Sequence, residues 1–303
     1  MMTNNMMMAA VESRIDGVNG MLRMAGAPFQ VHPVAVPKPN LGELAGFATM
    51  AVPEDGLMHP IVYWQDGFSD LTDTDLARHI INVYIDGMKE TEPAFPEILT
   101  RGYLLEHVLP KVLERDSNLP ILEEHDIPYM LLPDTDLLAV FYVPIEEIDG
   151  SLQISRSVLD SVGLTADELT DRAKANALKD MTVRSLSAVM REMAGLPYDP
   201  DLDDVGMPLY IVSNGTCQFG AGVLAAGKAA YLRIADALGE SEIFILPSSL
   251  HEVLAVPDDG QFSFQELLDM VTEINATVVA PQDILSNNVY HFSKNTLKLV
   301  HCR

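Results

Sequence analysis

The chain has 303 residues, of which 48% are hydrophobic and 21% are charged, as in a folded globular protein and unlike an intrinsically disordered chain. Its 44 acidic residues outnumber its 19 Lys and Arg residues, so the formal net charge is −25. No two basic residues are adjacent, and without a basic stripe to neutralise phosphates we expect no direct nucleic-acid binding.

The N-terminus and the two cysteines bear on the cellular compartment. The N-terminal segment lacks a basic region, and its apolar run from Met6 to Val11 is too short for a signal peptide or a membrane span. Cys217 and Cys302 belong to no CxxC motif and to no His/Cys cluster. We therefore expect a reduced, cytoplasmic protein without a membrane segment.

The first half of the chain carries helical and extended patterns. Apolar spacing predicts helices over residues 6–24, 71–90 and 95–118. Pro110 is expected to kink or end the third helix, because proline lacks an amide proton. Strands are predicted over 28–39, 44–52 and 59–64, of which the Pro-rich first one suits either an edge strand or an extended linker.

The second half mixes hairpin signals with capped helices. A strongly apolar strand, a turn at Asp149-Gly150 and a second strand predict a hairpin over 136–156. Two capping boxes, Thr165 with Glu168 and Ser263 with Glu266, open helices that are predicted over 165–178 and 264–275. The remaining predicted elements are helices over 186–193 and 227–239, strands over 208–214, 218–224 and 241–247, and a terminal hairpin over 288–302.

This order of elements indicates the fold class. Hairpins mixed with helices, without regular strand–helix–strand alternation, predict an α+β fold with a mixed, mostly antiparallel sheet built from hairpins and with helices packed on it. We predict a Met-rich N-terminal helix or tail over residues 1–27, an N-terminal α+β subdomain over 28–130 and a C-terminal α+β subdomain over 131–303. The last subdomain could form one domain with the preceding part.

The segment LPSSLHE, residues 246–252, brings together the residue types of a nucleophile and its base. Its candidates for a catalytic site are Ser248, Ser249, His251 and Glu252. The glycines of a G-x-S-x-G nucleophile elbow are absent. On a strand, Ser249 and His251 would share a face roughly 6–7 Å apart, which is too far for direct proton transfer. A polar turn between two strands is the preferred interpretation, and a catalytic site would need partners from elsewhere in the chain.

Metal and cofactor signals are sparse. The acidic stretch at 122–126 contains Glu123, Glu124, His125 and Asp126, which could hold a hard cation if folded inward, although a solvated loop is the simpler interpretation. Asp134 and Asp136 form an Asp-x-Asp pair, a motif also found in metal and sugar-nucleotide sites. The small-residue stretch 220–227 lacks both GxGxxG and GK[ST], so we predict no cofactor.

Four blocks of sequence stand in an informative order and spacing: LLAVFYVPIEE (137–147), PLYIVSN (208–214), LPSSLHEVLAVPDDG (246–260) and INATVVAPQDILSNNVYHF (274–292). Together they resemble an uncharacterised bacterial family, domain-of-unknown-function family 5688. The resemblance lies mainly in the C-terminal half, and residues 1–60 match poorly. It implies an α+β cytosolic protein of bacteria or their mobile elements, and it transfers no activity and no site residue.

Three functional hypotheses follow from the sequence. The leading hypothesis is a soluble, acidic, non-catalytic interaction or accessory protein that binds a protein partner through its acidic surface. The first alternative is a hydrolase-like enzyme centred on the 246–252 segment. The second alternative is an acidic mimic of DNA that captures a DNA-binding protein.

Overall fold

A computed structural model of the chain describes residues 4–38, 40–53, 59–91, 99–145, 150–196, 208–247 and 249–302. Within these residues the chain folds into helices and three mostly antiparallel sheets. The predicted α+β class is thereby confirmed. None of the helices in these ranges has the length and apolar character that crossing a bilayer requires.

The elements are numbered in chain order. The α-helices are α1 (Asn4–Met24), α2 (Asp73–Thr91), α3 (Arg101–His107), α4 (Arg115–Glu124), α5 (Arg156–Val162), α6 (Ala166–Asp180), α7 (Leu186–Met193), α8 (Lys228–Leu238) and α9 (Phe264–Thr277). The strands are β1 (Phe29–Lys38), β2 (Gly42–Ala51), β3 (Ile61–Tyr63), β4 (Leu109–Glu114), β5 (Tyr129–Leu131), β6 (Leu137–Ile145), β7 (Gly150–Gln153), β8 (Met181–Ser185), β9 (Tyr210–Asn214), β10 (Glu242–Leu246), β11 (Val253–Pro257), β12 (Val289–Ser293) and β13 (Lys298–Cys302). Short 3-10 helices cover Asp66–Asp70, Gly220–Ala226 and Pro281–Asp283.

Contacts between Cα atoms divide the chain into two compact units, Met1–Ile98 with Glu146–Gly150, and Leu99–Ile145 with Ser151–Arg303. The subdomain boundaries after residues 27 and 130 stay a prediction. In the first unit, α1, α2 and the sheet β1-β2-β3 share one apolar core. The Asn19 side chain both donates to the Val31 carbonyl and accepts from the Val31 amide, which fixes α1 on β1.

The second unit contains a six-stranded sheet in the order β13-β12-β10-β11-β9-β8 and a smaller sheet formed by β4, β5, β6 and β7. One face of the large sheet shares a core with the small sheet and with helices α4 and α8. The other face packs on α9. Because adjacent residues of a strand point to opposite faces, Ile243 and Ile245 of β10 enter the first core while Phe244 and Leu246 enter the second.

The helix predicted over 95–118 is correct for residues 101–107 and 115–118 and wrong for residues 109–114, while residues 95–98 lie outside the described ones. Helix α3 ends at His107, strand β4 follows, and Pro110 lies within this strand, where Leu109 pairs with Tyr142 and Pro110 with Phe141 of β6. A residue before proline disfavours helical backbone, and the long pairing with β6 outweighs the local apolar spacing. The Glu114 carboxylate then caps α4 by accepting from two backbone amides.

The predicted strand over 218–224 is also wrong. Phe219 has left-handed backbone, with φ of 50°, and it leads into the 3-10 helix Gly220–Ala226 instead. A side chain at Gly220 would place its Cβ atom 2.0 Å from Ser213 Oγ and 2.4 Å from the His251 carbonyl oxygen. Glycine is therefore required at this close approach of two chain segments. Of the predicted 136–156 hairpin, the β6–β7 pairing is observed, and Asp149 lies outside the described residues.

Candidate functional site

The segment singled out by the sequence, 246–252, is a turn between β10 and β11 that is tied to the residues before β12. Ser249 forms an isolated β-bridge with Ile284, and the Leu250 amide donates to the Asp283 carbonyl at 2.9 Å. The Ser286 amide donates to the Pro247 carbonyl at 2.9 Å. Ser248 lies outside the described residues.

The Ser249 hydroxyl serves the turn itself. Only 6% of this residue is exposed, and its Oγ atom accepts the backbone amide of His251 at 3.0 Å. Serine hydroxyls commonly satisfy the amide two residues ahead in this way and so stabilise a turn. The contact is made with the backbone of His251 and not with its imidazole ring.

Both nitrogens of the His251 ring face other groups. Nδ1 accepts the Phe219 amide at 3.4 Å, and Nε2 lies 3.5 Å from Asp283 Oδ1. Since Nδ1 is an acceptor, the ring proton of the neutral imidazole lies on Nε2, towards the Asp283 carboxylate. The ring also stacks on Phe219, with 5.5 Å between centroids. Glu252 makes no hydrogen bond to this ring in the described part of the chain.

Phe219 connects this turn to the small sheet. The Lys111 ammonium of β4 lies 3.9 Å from the Phe219 ring centroid, and Tyr142 of β6 meets the ring edge-on at 5.2 Å. The pKa of Tyr142 is raised by burial and, to a lesser extent, by the Asp180 carboxylate. The sequence did not indicate Phe219, Asp283 or Lys111, because none of them belongs to a local motif.

The acidic cluster at 122–126 lies at the end of α4. The Tyr129 hydroxyl donates to Glu123 at 3.2 Å, and Asp126 lies 3.7 Å from the Arg156 guanidinium. His125 ends the helix. Across the described ranges, no group of three or more His, Cys, Asp and Glu side chains is arranged to hold a metal ion.

A further polar site lies at the edge of the large sheet, where a cavity of about 770 Å³ opens beside β13. We call it the β13 groove; its lining comprises residues 114–116, 134–136, Asn288 and 298–301. Four consecutive residues of a strand alternate between the two faces of a sheet. A cavity that touches all four of 298–301 therefore follows the side of the strand.

Asp136 organises the base of this groove. Its carboxylate accepts from the Ser286 hydroxyl at 2.9 Å, from the Asn288 amide at 2.8 Å and from the Tyr290 hydroxyl. Burial, and next the charge of Asp136, raise the pKa of Tyr290. The two carboxylates of the Asp-x-Asp pair therefore differ, because Asp136 is half-buried and hydrogen-bonded while Asp134 is exposed. The sequence signal was the pair itself, but it did not identify the three donors.

The groove has an acidic wall opposite β13, formed by residues 114–116 and 134–136. Its charged groups are four carboxylates and one guanidinium, from Glu114, Arg115, Asp116, Asp134 and Asp136. Arg115 lies 3.1 Å from Asp116, and this pair is solvent-exposed. The remaining carboxylates leave the wall negatively charged.

Comparison with known proteins adds one assignment. A model described as a family of unknown function (DUF5688) matches residues 11–294. The chain belongs to this family. The match includes most of the first unit, so membership extends beyond the C-terminal half in which the sequence resemblance was found and includes residues 11–60, which were expected to match poorly. No curated protein and no solved structure matches the chain.

Proposed function

We propose that this chain is a non-catalytic interaction protein that binds a protein partner through its acidic surface. The observation that supports this function most directly is the engagement of His251. Its Nδ1 atom accepts the Phe219 amide and its Nε2 atom faces Asp283, so neither nitrogen is directed at the Ser249 hydroxyl. A general base must lie within hydrogen-bond reach of the proton that it removes.

The Ser249 hydroxyl supports the same proposal. It is buried and accepts the amide of its own turn, which is the arrangement of a structural serine. The hydrolase hypothesis for residues 246–252 therefore gains no nucleophile–base contact from the described residues.

The charge of the chain supports a basic partner. A net charge of −25 attracts positively charged proteins over long range and repels nucleic acids and anionic membranes. A bacterial, cytoplasmic location belongs to this proposal. It is supported by the exposed free thiol of Cys217, which is compatible with a reducing compartment.

Two experiments test the proposal. The tagged chain is incubated with an extract of its source cells at about 25 mM and about 300 mM salt, cross-linked, and the linked peptides are identified by mass spectrometry. We expect one dominant protein, linked near acidic surface residues and lost at the higher salt concentration, because exposed charges more than about 8 Å apart are screened at physiological ionic strength. An absence of any salt-sensitive partner contradicts the proposal.

The second experiment addresses catalysis. The chain, Ser249→Ala and His251→Gln are tested against chromogenic esters, phosphate esters and peptides between pH 5 and pH 9. We expect no turnover above that of the two variants. Hydrolysis that Ser249→Ala abolishes while circular dichroism shows an intact fold would overturn the non-catalytic proposal.

A further inference from the structure

We propose that Pro33 and Pro37 close the outer edge of strand β1 and thereby prevent β1 from pairing with β1 of a second copy of the chain. This inference concerns self-association, so it goes beyond the proposed function and does not depend on it. The open edge of a sheet carries amide and carbonyl groups that can pair with another chain, and proline on that edge is one way in which proteins prevent such pairing.

Strand β1 has the properties of an edge that needs this protection. It is 10 residues long and is a terminal strand of the sheet β1-β2-β3 in the described part of the chain. Residues 29–37 contain no Asp, Glu, Lys or Arg, which are the residues that commonly keep a second strand away from an edge. Val31, Val34 and Val36 are β-branched and favour strands. A long, uncharged, apolar edge is an expected site of association between copies.

The hydrogen bonds around β1 show which of its backbone groups face outward. In an antiparallel pair, alternate residues exchange hydrogen bonds with the partner strand, and the residues between them turn their amides and carbonyls away from it. The Val52 amide donates to the Pro28 carbonyl, so the even-numbered residues of β1 face β2. On the other side, the Asn19 side chain of α1 bonds both the amide and the carbonyl of Val31. The odd-numbered residues of β1 therefore face outward.

Both prolines of β1 lie at outward-facing positions. Proline has no amide proton, so Pro33 and Pro37 remove nothing from the ladder with β2, whereas each removes a donor from the outer edge. Val31 is already bonded to Asn19. Between residues 31 and 37, Ala35 is thus the only outward-facing residue that could exchange both hydrogen bonds with an added strand.

Pairing of β1 with itself would bring the prolines of the two copies together. Two copies paired antiparallel around Ala35, as two-fold symmetry requires, would place Pro33 of one copy opposite Pro37 of the other. Facing residues of this kind normally exchange two hydrogen bonds, but two prolines exchange none. The central Ala35 pair alone would be bonded. One bonded pair does not offset the loss of freedom when two chains associate.

The test restores both amides in the double variant Pro33→Thr with Pro37→Thr, because threonine favours strands. Sedimentation velocity at a series of protein concentrations compares the variant with the parent chain. We expect the variant to associate at least about 10-fold more tightly, because the residues at 33 and 37 can then exchange hydrogen bonds. Hydrogen exchange should slow at residues 31–37 as the concentration of the variant rises, which locates the contact on β1.

Pro28→Thr is the matched control. Pro28 is exposed, as Pro33 is, but its position faces β2, so the restored amide is directed towards Val52 and association should stay as in the parent chain. Circular dichroism and thermal unfolding check that each variant keeps the parent fold. Where the double variant precipitates, the single variants Pro33→Thr and Pro37→Thr take its place in the same comparison.

Three results would overturn the inference. The first is association of the variants at positions 33 and 37 that is no tighter than that of the parent chain while the fold is intact. The second is concentration-dependent protection that lies outside residues 29–38. The third is association of Pro28→Thr as tight as that of the variants at positions 33 and 37, because a general effect of proline removal would then explain the result.

Discussion

Replacement of Asp136 tests the hydrogen-bonded base of the β13 groove. Asp136→Ala removes the acceptor of Ser286, Asn288 and Tyr290. Hydrogen bonds to charged groups each contribute about 1.5–3 kcal/mol, and a buried donor left without a partner costs about 1–3 kcal/mol. Ser286 is 3% exposed and Tyr290 is 1% exposed, so both hydroxyls lose their partner away from water.

We expect Asp136→Ala to lower the free energy of unfolding of the second unit by about 2–4 kcal/mol, less than three full contributions because Asp136 is only half-buried and water in the groove can replace part of what it supplies. For a unit of this size the loss corresponds to a decrease in Tm of about 4–16 °C. Urea unfolding followed by near-ultraviolet circular dichroism of the tyrosines measures it. Fluorescence of Trp64, the single tryptophan, follows the first unit and provides an internal reference.

Two companion variants make the result specific. Asp134→Asn removes an exposed carboxylate two residues away, at a left-handed position that asparagine tolerates, and should change stability by less than about 0.5 kcal/mol. Tyr290→Phe in the Asp136→Ala background removes the unpaired hydroxyl and should cost about 1–2 kcal/mol less than the sum of the single changes. A loss below about 1 kcal/mol in Asp136→Ala, or strict additivity in the double variant, would refute the reasoning.

Three further outcomes are expected. Burial raises the pKa of Tyr142, Tyr231 and Tyr290, so each stays neutral in the folded protein at a pH where it would ionise in the unfolded chain. Above about pH 10 the free energy of unfolding should therefore fall by roughly 1.4 kcal/mol per pH unit for each of these tyrosines. A titration followed by absorbance at 295 nm should show that these three tyrosines do not ionise until the protein unfolds. Hydrogen bonds from the backbone and then the side chain of Ser263 lower the pKa of Glu266 below its ordinary 4.5. The stabilisation by the Glu266 carboxylate is therefore present above pH 4.5 and is lost as the pH falls through the pKa of the folded protein. Glu266→Gln should make the free energy of unfolding depend less on pH in this acid range, and an unchanged dependence would contradict the prediction. Gly220→Ala should destabilise by about 1–3 kcal/mol in thermal unfolding because its Cβ meets Ser213 and His251, whereas Gly102→Ala, with open space at its Cβ, should be neutral or stabilising.

Several elements were determined by local sequence. The capping boxes at Thr165 and Ser263 are both formed, and the helices that they open begin as predicted. The apolar run of β6 forms a buried strand, as its composition indicated. These features depend on residues a few positions apart, so their free energy is contained in the local sequence.

Other elements were decided only by tertiary contacts. Residues 109–114 have a spacing that suits a helix, and they form β4 because β6, about 30 positions later, offers a complete antiparallel partner. Strands β5 and β8 were not predicted, and both are defined by their pairing with β6 and β9. Local propensity is weak enough for such pairings to override it.

The candidate sites divide in the same way. The sequence located the 246–252 turn and the Asp134 and Asp136 pair, since short motifs mark turns and polar clusters. It did not indicate that the His251 ring would face Asp283 and Phe219, or that Asp136 would bind groups 150 to 154 positions away. Which residue becomes the hydrogen-bond partner at that separation depends on how the two sheets pack around one core. No local sequence pattern encodes that packing, so none can indicate the partner.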